Sequence, residues 1–449
     1  GTLVAADIDS GATGTWSIAG TPSTDYGTIA INAATGSWTF TLDNTLANTQ
    51  ALMEGQYDSQ TFTARFTDDK GAYVDQTISI GIYGNNDQPV VTTSPAALIG
   101  TVREAGHDDN GSIDPGIASI SGTLTASDVD RNATQTWSIV GTPSTTYGSI
   151  AIDASTGVWS YTLDNTLAAT QALGEDQSVT QTFTARVSDD KDAYADQTIT
   201  VTINGGNDKP TVSYATGQAS GSVQEDNAAL ITASGTLSSS DLDAGATATW
   251  SAPTPNGTYG SIAIDATTGV WTYTLDSSRA ATQALAAGQT ATELMVLRVT
   301  DEFGASTDQT VTLTINGSND APTISIGSGN SGSASLAEVN GNLTTTGSLT
   351  VSDVDLINTV SATVVGVTKG GITTGLGSND AALLAMLSLT PTAPAAVVGN
   401  SSTTGTLGWA FNSASEAFNH LAVGESLTLT YSVRVTDSSG ATADQPITI

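Results

Sequence analysis

The segment Gly122-Thr-Leu-Thr-Ala-Ser-Asp128-Val-Asp130 decides the fold, because the chain carries four versions of it. The other versions begin at Gly1, Gly235 and Gly347, so successive copies start 121, 113 and 112 residues apart. Each copy places two carboxylates two residues apart at the end of a short run of β-forming residues. Repetition at this period indicates a row of similar domains rather than one large fold.

Outward from this segment, each repeat consists of short β-forming runs that are separated by turn-forming residues. Trp159, Tyr161 and Leu163 alternate with polar residues, which places the apolar side chains on one face of a strand. Equivalent runs begin at Trp38 and Trp271. About seven such runs per repeat predict an antiparallel sandwich with the tryptophans packed in its core rather than stacked on sugars.

Three turn-rich segments, at 84–89, 205–210 and 317–322, divide the chain, and each ends in a proline that stops strand pairing. They predict repeat 1 at 1–87, repeat 2 at 88–208, repeat 3 at 209–320 and repeat 4 at 321–449. These four names are used below. Because the sequence begins and ends within a repeat, we expect it to be part of a longer chain.

Repeat 4 departs from the pattern in its middle. The run from Ser378 contains Asn, Asp and then Ala, Leu and Met, which predicts a capped short helix. The predicted fold class is therefore all-β, with tandem immunoglobulin- or cadherin-like antiparallel sandwiches in an extended array and a short helix inserted in the fourth.

Composition excludes several classes of partner. Lysine and arginine total 11 against 44 acidic residues, a formal charge of −33. Repulsion makes nucleic acid an unsuitable ligand, and no apolar run is long enough to insert into a membrane. The chain has no cysteine, which excludes disulfides and thiolate metal sites. The two histidines, His107 and His420, are not at repeated positions, so zinc and copper sites are not indicated either.

Repeated carboxylates with few basic partners indicate a bound cation. Calcium accepts six to eight oxygen ligands and tolerates carboxylates mixed with the backbone carbonyls of Asn-, Gly- and Asp-rich loops. Magnesium requires a tighter octahedron, so calcium is the predicted ion. The alternative is that each Asp-x-Asp pair only forms solvated turns. The acids recur at domain ends rather than once in a cleft, so we do not expect an enzyme.

The ordered set of a glutamate, Asp-x-Asp, an aspartate turn and Asn-Asp-x-Pro resembles cadherin-type domains. It is most similar to the VCBS-type repeats of large bacterial surface adhesins, many of them exported by type I secretion. The resemblance covers repeats 2 to 4 and most of repeat 1. It implies calcium ions between successive domains, bound by both neighbours and by the linker.

Carried over by position, the resemblance implies a metal-ligand set in five groups. The first-strand glutamates are Glu104, Glu225 and Glu338, and the mid-domain glutamate is Glu175. The linker aspartates are Asp87, Asp208 and Asp320. The Asp-x-Asp pairs are Asp128 and Asp130, Asp241 and Asp243, and Asp353 and Asp355. The later aspartates are Asp189, Asp301 and Asp437.

Two departures from the family pattern affect the predicted number of ions. Repeat 3 has Ala286 and Ala287 where the mid-domain glutamate would lie, so we expect fewer ions at the third junction. Within this sequence, repeat 1 lacks the opening strand and its glutamate, so we expect a weaker first junction here.

These observations predict a calcium-stiffened stalk on the outside of a bacterium that supports surface attachment or biofilm. Two alternatives remain open from the sequence. One is a subunit of a self-assembling surface filament or sheath, with other copies of the chain as partners. The other is a module that binds polysaccharide or protein through the irregular part of repeat 4.

Overall fold

The computed structural model describes residues 1–449 and confirms the all-β class with tandem β-sandwiches. None of its helices has the length and hydropathy that crossing a membrane would require. The chain forms two compact units, one of residues 1–209 with 241–246 and one of residues 210–240 with 247–449. The four predicted repeat boundaries stay predictions.

Repeat 1 contains a three-stranded sheet in the order β1-β4-β5 and a hairpin of β2 and β3. Trp16, Phe62 and Ile78 are buried between them. The elements are β1 (Gly14–Ile18), β2 (Gly27–Ile31), β3 (Trp38–Leu42), α1 (Ala47–Gln50), β4 (Tyr57–Asp68) and β5 (Tyr73–Tyr83).

Repeat 2 begins with β6 (Val90–Val91), a 3-10 helix (Pro95–Leu98), β7 (Ile99–Arg103), β8 (Gly106–His107), β9 (Ile113–Asp114), β10 (Ser119–Thr123) and β11 (Ala126–Ser127). It continues with β12 (Thr136–Ile139), β13 (Gly148–Ile152), β14 (Val158–Leu163), α2 (Ala168–Gln171), β15 (Ser178–Ser188) and β16 (Tyr194–Asn204). Its two main sheets have the orders β12-β15-β16-β7 and β10-β14-β13, and β7 runs parallel to β16. Trp159 and Tyr161 are fully buried between the two sheets, as their alternation predicts.

Repeat 3 has the same plan, with sheets β18-β25-β24-β21 and β19-β23-β22 and a short pair of β17 and β20. Strand β18 again lies parallel to β25. The elements are β17 (Thr211–Ser213), β18 (Ser220–Gln224), β19 (Thr232–Thr236), β20 (Ser238–Ser240), β21 (Ala248–Ser251), β22 (Gly260–Ile264), β23 (Val270–Leu275), α3 (Ala280–Gln283), β24 (Thr290–Asp301) and β25 (Ser306–Asn316).

Repeat 4 contains two sheets, β26-β27-β30-β29 and β28-β31-β32. The predicted helix is confirmed as α4, and the Asn379 side chain caps it by accepting a hydrogen bond from Ala382 N at 2.8 Å. The elements are β26 (Thr323–Ser325), β27 (Thr344–Ser352), β28 (Ser361–Gly371), α4 (Asp380–Leu384), β29 (Leu387–Thr390), β30 (Thr404–Asn412), β31 (Leu427–Thr436) and β32 (Thr442–Thr448).

A long hairpin in every repeat carries an arginine opposite an aspartate. In repeat 2, Arg186 lies opposite Asp196 in the β15–β16 register and binds it through Nε and Nη2 at 2.7 and 2.8 Å. The same two-bond pair forms at Arg65 and Asp75, at Arg298 and Asp308, and at Arg434 and Asp444. These arginines are therefore structural and do not neutralise the carboxylates near the linkers.

Candidate metal centres beside the linkers

Strand pairing brings each linker to the Asp-x-Asp segment that follows it. At the first linker, β6 pairs with β11 so that Val90 lies opposite Ser127, the residue before Asp128. As a result, Asp87 N donates to Asp130 Oδ2 at 2.9 Å, and Asp130 N donates to Asp128 Oδ1 at 3.0 Å. The linker therefore folds around the two carboxylates that the sequence pattern marks.

The same arrangement recurs at the other two linkers. The β17–β20 and β26–β27 pairs again end one residue before the Asp-x-Asp segment. Both hydrogen bonds form with lengths between 2.8 and 3.0 Å. The residues are Asp208, Asp243 and Asp241 at the second linker, and Asp320, Asp355 and Asp353 at the third.

A later aspartate joins the group at the first and third linkers. Asn86 Nδ2 donates to Asp189 Oδ2 at 3.0 Å, and Asn319 Nδ2 donates to Asp437 Oδ2 at 2.9 Å. The other oxygen of each aspartate accepts two backbone N–H groups of its own hairpin turn. Asp301 accepts the equivalent turn bonds from Phe303 and Ala305.

The first-strand glutamates of repeats 2 and 3 are buried. Glu104 is 1% exposed and follows β7, and its Oε1 accepts a hydrogen bond from Gln171 Nε2 at 2.6 Å. Glu225 accepts the corresponding bond from Gln283 at 2.9 Å. Burial raises the pKa of Glu104 to about 7, with a further contribution from the charge of Asp208, and burial raises the pKa of Glu225 to about 7.

Gln171 and Gln283 are functional residues that the sequence analysis missed. Each is the last residue of a four-residue helix, α2 or α3, whose N-cap makes no side-chain hydrogen bond. The available signal was the repeated Ala-Ala-Thr-Gln at 168–171 and 280–283. Such helices are too short to show a periodic pattern.

Several carboxyl oxygens near the linkers are buried without a hydrogen-bond partner. A buried polar atom without a partner carries a large desolvation cost, and native proteins rarely leave one unsatisfied. Beside the linkers, the carboxyl oxygens in this state are Glu104 Oε2, Asp128 Oδ2, Asp130 Oδ1, Asp208 Oδ2, Asp320 Oδ2, Asp353 Oδ2 and Asp355 Oδ1.

The carboxylates beside the linkers also repel one another. Burial raises the pKa of Asp130, and the charges of Asp128, Asp87 and Asp189 raise it further. Burial raises the pKa of Asp355 to about 6, although the bond from Asp320 N opposes the shift. Acids whose pKa is raised by burial and by other acids are stabilised when a cation binds among them.

The oxygen atoms of these residues suit calcium chemically, although they do not form a complete coordination shell. No three acidic or histidine side chains are arranged as a closed metal-binding cluster in the chain. The available donors are carboxylate oxygens together with the carbonyls of the linkers. Calcium needs six to eight oxygens and accepts backbone carbonyls and water among them, so two or three carboxylates per ion are sufficient.

Two predicted ligands lie apart from these groups. Glu175 is partly buried with Oε2 unpartnered, and burial and then Asp109 raise its pKa. The charges around Glu175 belong to its own repeat. Glu338 is exposed and lines a cavity of about 420 Å³ in repeat 4 together with Leu336 and Phe411.

A family comparison decides the classification. The profile of the bacterial cadherin-like domain matches residues 86–205 and 207–317. These segments contain 120 and 111 residues, or 231 of the 449 in the chain. The chain belongs to the bacterial cadherin-like domain family. Cadherin-like domains typically bind calcium and self-associate, and they are generally non-enzymatic.

Solved cadherin ectodomains resemble this bacterial cadherin-like chain in fold. Protocadherin gamma B2 domains 1–5 are 16% identical with a TM-score of 0.43, over 97% of this chain and 72% of that one. The protocadherin gamma B4 ectodomain is 16% identical with a TM-score of 0.38, over 96% and 60%. Mouse cadherin-23 domains 22–24 are 17% identical with a TM-score of 0.34, over 70% and 90%. The sequence matches no curated protein.

Proposed function

We propose that this chain is a calcium-stiffened stalk in a bacterial surface adhesin that supports attachment or biofilm. The observation that carries the proposal is the recurrence of buried, unpartnered carboxyl oxygens beside all three linkers. An isolated acidic turn would expose these oxygens to water. Burial of such oxygens beside each of the three linkers instead favours a ligand that all three linkers share.

The ligand groups of this proposal follow the linkers. The first linker has Asp87, Asp128, Asp130 and Asp189. The second has Glu104, Asp208, Asp241 and Asp243, and the third has Glu225, Asp320, Asp353, Asp355 and Asp437. Asp301, Glu175 and Glu338 remain ligands by sequence position.

The protein's own groups hold the linker in place for the ion. The amide of Asp87 fixes one oxygen of Asp130, which leaves the other oxygen of that carboxylate for the cation. Asn86 also donates to Oδ2 of the later aspartate, Asp189. Calcium would supply the positive charge that these acids lack and would join carboxylates of both neighbouring repeats. The linker backbone would then lose the freedom to rotate.

An extracellular bacterial location suits this mechanism. Extracellular modules bind calcium at about 10⁻⁴ to 10⁻³ M, concentrations that occur outside cells. A charge of −33 also needs compensation if successive repeats are to lie close together. The family description favours a bacterial protein. The VCBS resemblance favours a surface protein exported by type I secretion.

The test compares unfolding and small-angle scattering of the full chain in chelator and in calcium. At about 10 mM CaCl₂, each ion should add about 1–3 kcal/mol to the free energy of unfolding. The maximum dimension from scattering should increase as the linkers stiffen. The double variant Asp128→Asn/Asp130→Asn should lose part of the response, whereas Asp192→Asn, at an exposed turn, should keep it. Identical melting and scattering with and without calcium would contradict the proposal.

Self-assembly and polysaccharide binding through repeat 4 are the rival functions. Sedimentation at several protein concentrations would reveal filaments, and a glycan array with residues 365–405 deleted would reveal a sugar site. A monomeric chain that binds no glycan supports the stalk.

A further inference from the structure

The third linker has hydrogen bonds from uncharged side chains that the first linker lacks. Asn358, 3% exposed, donates from Nδ2 to Asn319 Oδ1 at 2.7 Å and to Asp355 Oδ2 at 2.9 Å. Its Oδ1 accepts a bond from Ser438 Oγ at 3.1 Å. One carboxamide therefore joins the linker, the Asp-x-Asp loop and the later hairpin turn. We call Asn319, Asn358 and Ser438 the amide clamp.

The equivalent positions in repeat 2 cannot form this clamp. Asn358 N donates to the carbonyl of Asp355, three residues earlier, and Ala133 N donates in the same way to Asp130. Position 133 is thus structurally equivalent to 358 but carries only a methyl group. Alanine also occupies this place in repeats 1 and 3, at positions 12 and 246.

The second member of the clamp also differs between repeats. Ser438 directly follows Asp437, whereas Asp190 directly follows Asp189 in repeat 2. A carboxylate at that place adds repulsion near the linker, and a hydroxyl donates a hydrogen bond instead. Both changes in repeat 4 therefore add hydrogen bonds beside the third linker, and the second also removes a negative charge.

A hydroxyl also holds the other end of the third linker. Ser318 Oγ donates to the carbonyl of Glu225 at 2.8 Å, and Ser318 N donates to Glu225 Oε2 at 3.2 Å. Residue 85 holds the same place in the first linker and is an asparagine. The third linker is thus fastened to repeat 3 through Ser318 and to repeat 4 through the amide clamp.

We infer that the third linker keeps its geometry without calcium, whereas the first linker depends on the ion. This inference rests on the proposed calcium function and states which linker calcium would control. Loss of calcium would loosen the stalk at the first linker while repeats 3 and 4 stay fixed to each other. The predicted scarcity of ions at the third linker, where Ala287 replaces a glutamate, agrees with this division.

The experiment measures distances across both linkers in the full chain by spin-label spectroscopy. Because the chain has no cysteine, labels attach only where one is introduced. Thr39→Cys with Ser160→Cys spans the first linker, and Thr272→Cys with Thr363→Cys spans the third, all at exposed strand positions. In chelator, the distance distribution should broaden across the first linker and stay narrow across the third.

Two variants test the clamp itself. Asn358→Ala should raise the loosened fraction at the third linker in chelator about fivefold, because it removes hydrogen bonds to a buried carboxylate and to the linker. The reciprocal variant, Ala133→Asn with Asp190→Ser, should narrow the distribution across the first linker in chelator. Melting in saturating calcium confirms that each variant folds.

The outcomes distinguish the amide clamp from the proposed dependence of the linkers on calcium. Equal broadening at both linkers in chelator, or no effect of Asn358→Ala, would overturn the clamp and leave calcium stiffening intact. Narrow distributions at both linkers in chelator would overturn the calcium dependence itself, and with it the proposed contrast between the linkers.

Discussion

The carboxamide of Gln171 donates to Oε1 of Glu104 at 2.6 Å and so connects the short helix α2 to a buried carboxylate beside the second linker. Gln50 holds the equivalent place at the end of α1, and its side chain makes no hydrogen bond to a carboxylate within residues 1–449. The two glutamines therefore differ in whether they have an acid to bind, and they form a natural pair for mutation.

Gln171→Ala should lower the free energy of unfolding in chelator at pH 7.5 by about 1–2 kcal/mol, because a buried carboxylate loses its donor. Gln50→Ala should change it by less than about 0.5 kcal/mol. Urea unfolding measures both values. Equal effects of the two variants would show that the glutamine acts only through helix packing.

Glu104 should make stability depend on pH when calcium is absent. Its pKa is raised from 4.5 to about 7 by burial and by Asp208, so the folded state holds the proton more tightly than the unfolded state. This contribution is fully present below about pH 4.5 and decreases as the pH rises toward 7. The total change is on the order of 3 kcal/mol.

Glu104→Gln isolates this contribution. Relative to the unmutated chain, the variant should become more stable as the pH rises from 4.5 to 7 in chelator, and the difference should level off above 7. Glu54→Gln changes an exposed glutamate and provides the control. If the difference in stability between Glu104→Gln and the unmutated chain did not vary with pH, the pKa of the Glu104 carboxyl would not be raised.

Asp355→Asn should change stability in opposite directions with and without calcium. The Asp355 side chain is fully buried, has Oδ1 unpartnered, and has a pKa raised to about 6 by burial. In chelator at pH 7.5, neutralising it should raise the melting temperature because repulsion from Asp353 disappears. In calcium, the variant should melt below the unmutated chain because a ligand is lost. The exposed Asp192→Asn should show neither change.

The sequence predicted the parts of the site that lie on strand ends. Asp-x-Asp follows a β-forming run, and strand pairing then brings the linker aspartate to it, so Asp87 and Asp130 meet as expected. The tryptophan alternation likewise placed Trp159 and Trp271 in the cores. These features depend on residues close in sequence or on regular pairing.

The remaining features depend on contacts between distant residues. Gln171 lies 67 residues from Glu104, and a four-residue helix gives no periodic signal. Asn358 replaces an alanine of the other repeats, but its role becomes clear only from its hydrogen bonds to Asn319 and Ser438. The hairpin of β8 and β9 docks through His107 N on Asn207 O at 2.6 Å, which its polar sequence did not indicate.

The arginine pairs on the long hairpins allow a test of packing that is independent of calcium. The guanidinium of Arg186 lies 3.5 Å above the Tyr194 ring and also binds Asp196. Arg298 binds Asp308 in the same way but has Ser306 at the place of the tyrosine. Arg186→Lys should therefore lower the melting temperature more than Arg298→Lys, because lysine loses the planar stacking as well as the two-bond pairing.

Differential scanning calorimetry in saturating calcium measures both lysine variants, and Tyr194→Ser supplies the reference background. In that background, Arg186→Lys should have the same effect as Arg298→Lys, because both sites then hold only an arginine and an aspartate. If Arg186→Lys remained more destabilising without the tyrosine, the difference would come from the surrounding strand and not from the stacked ring.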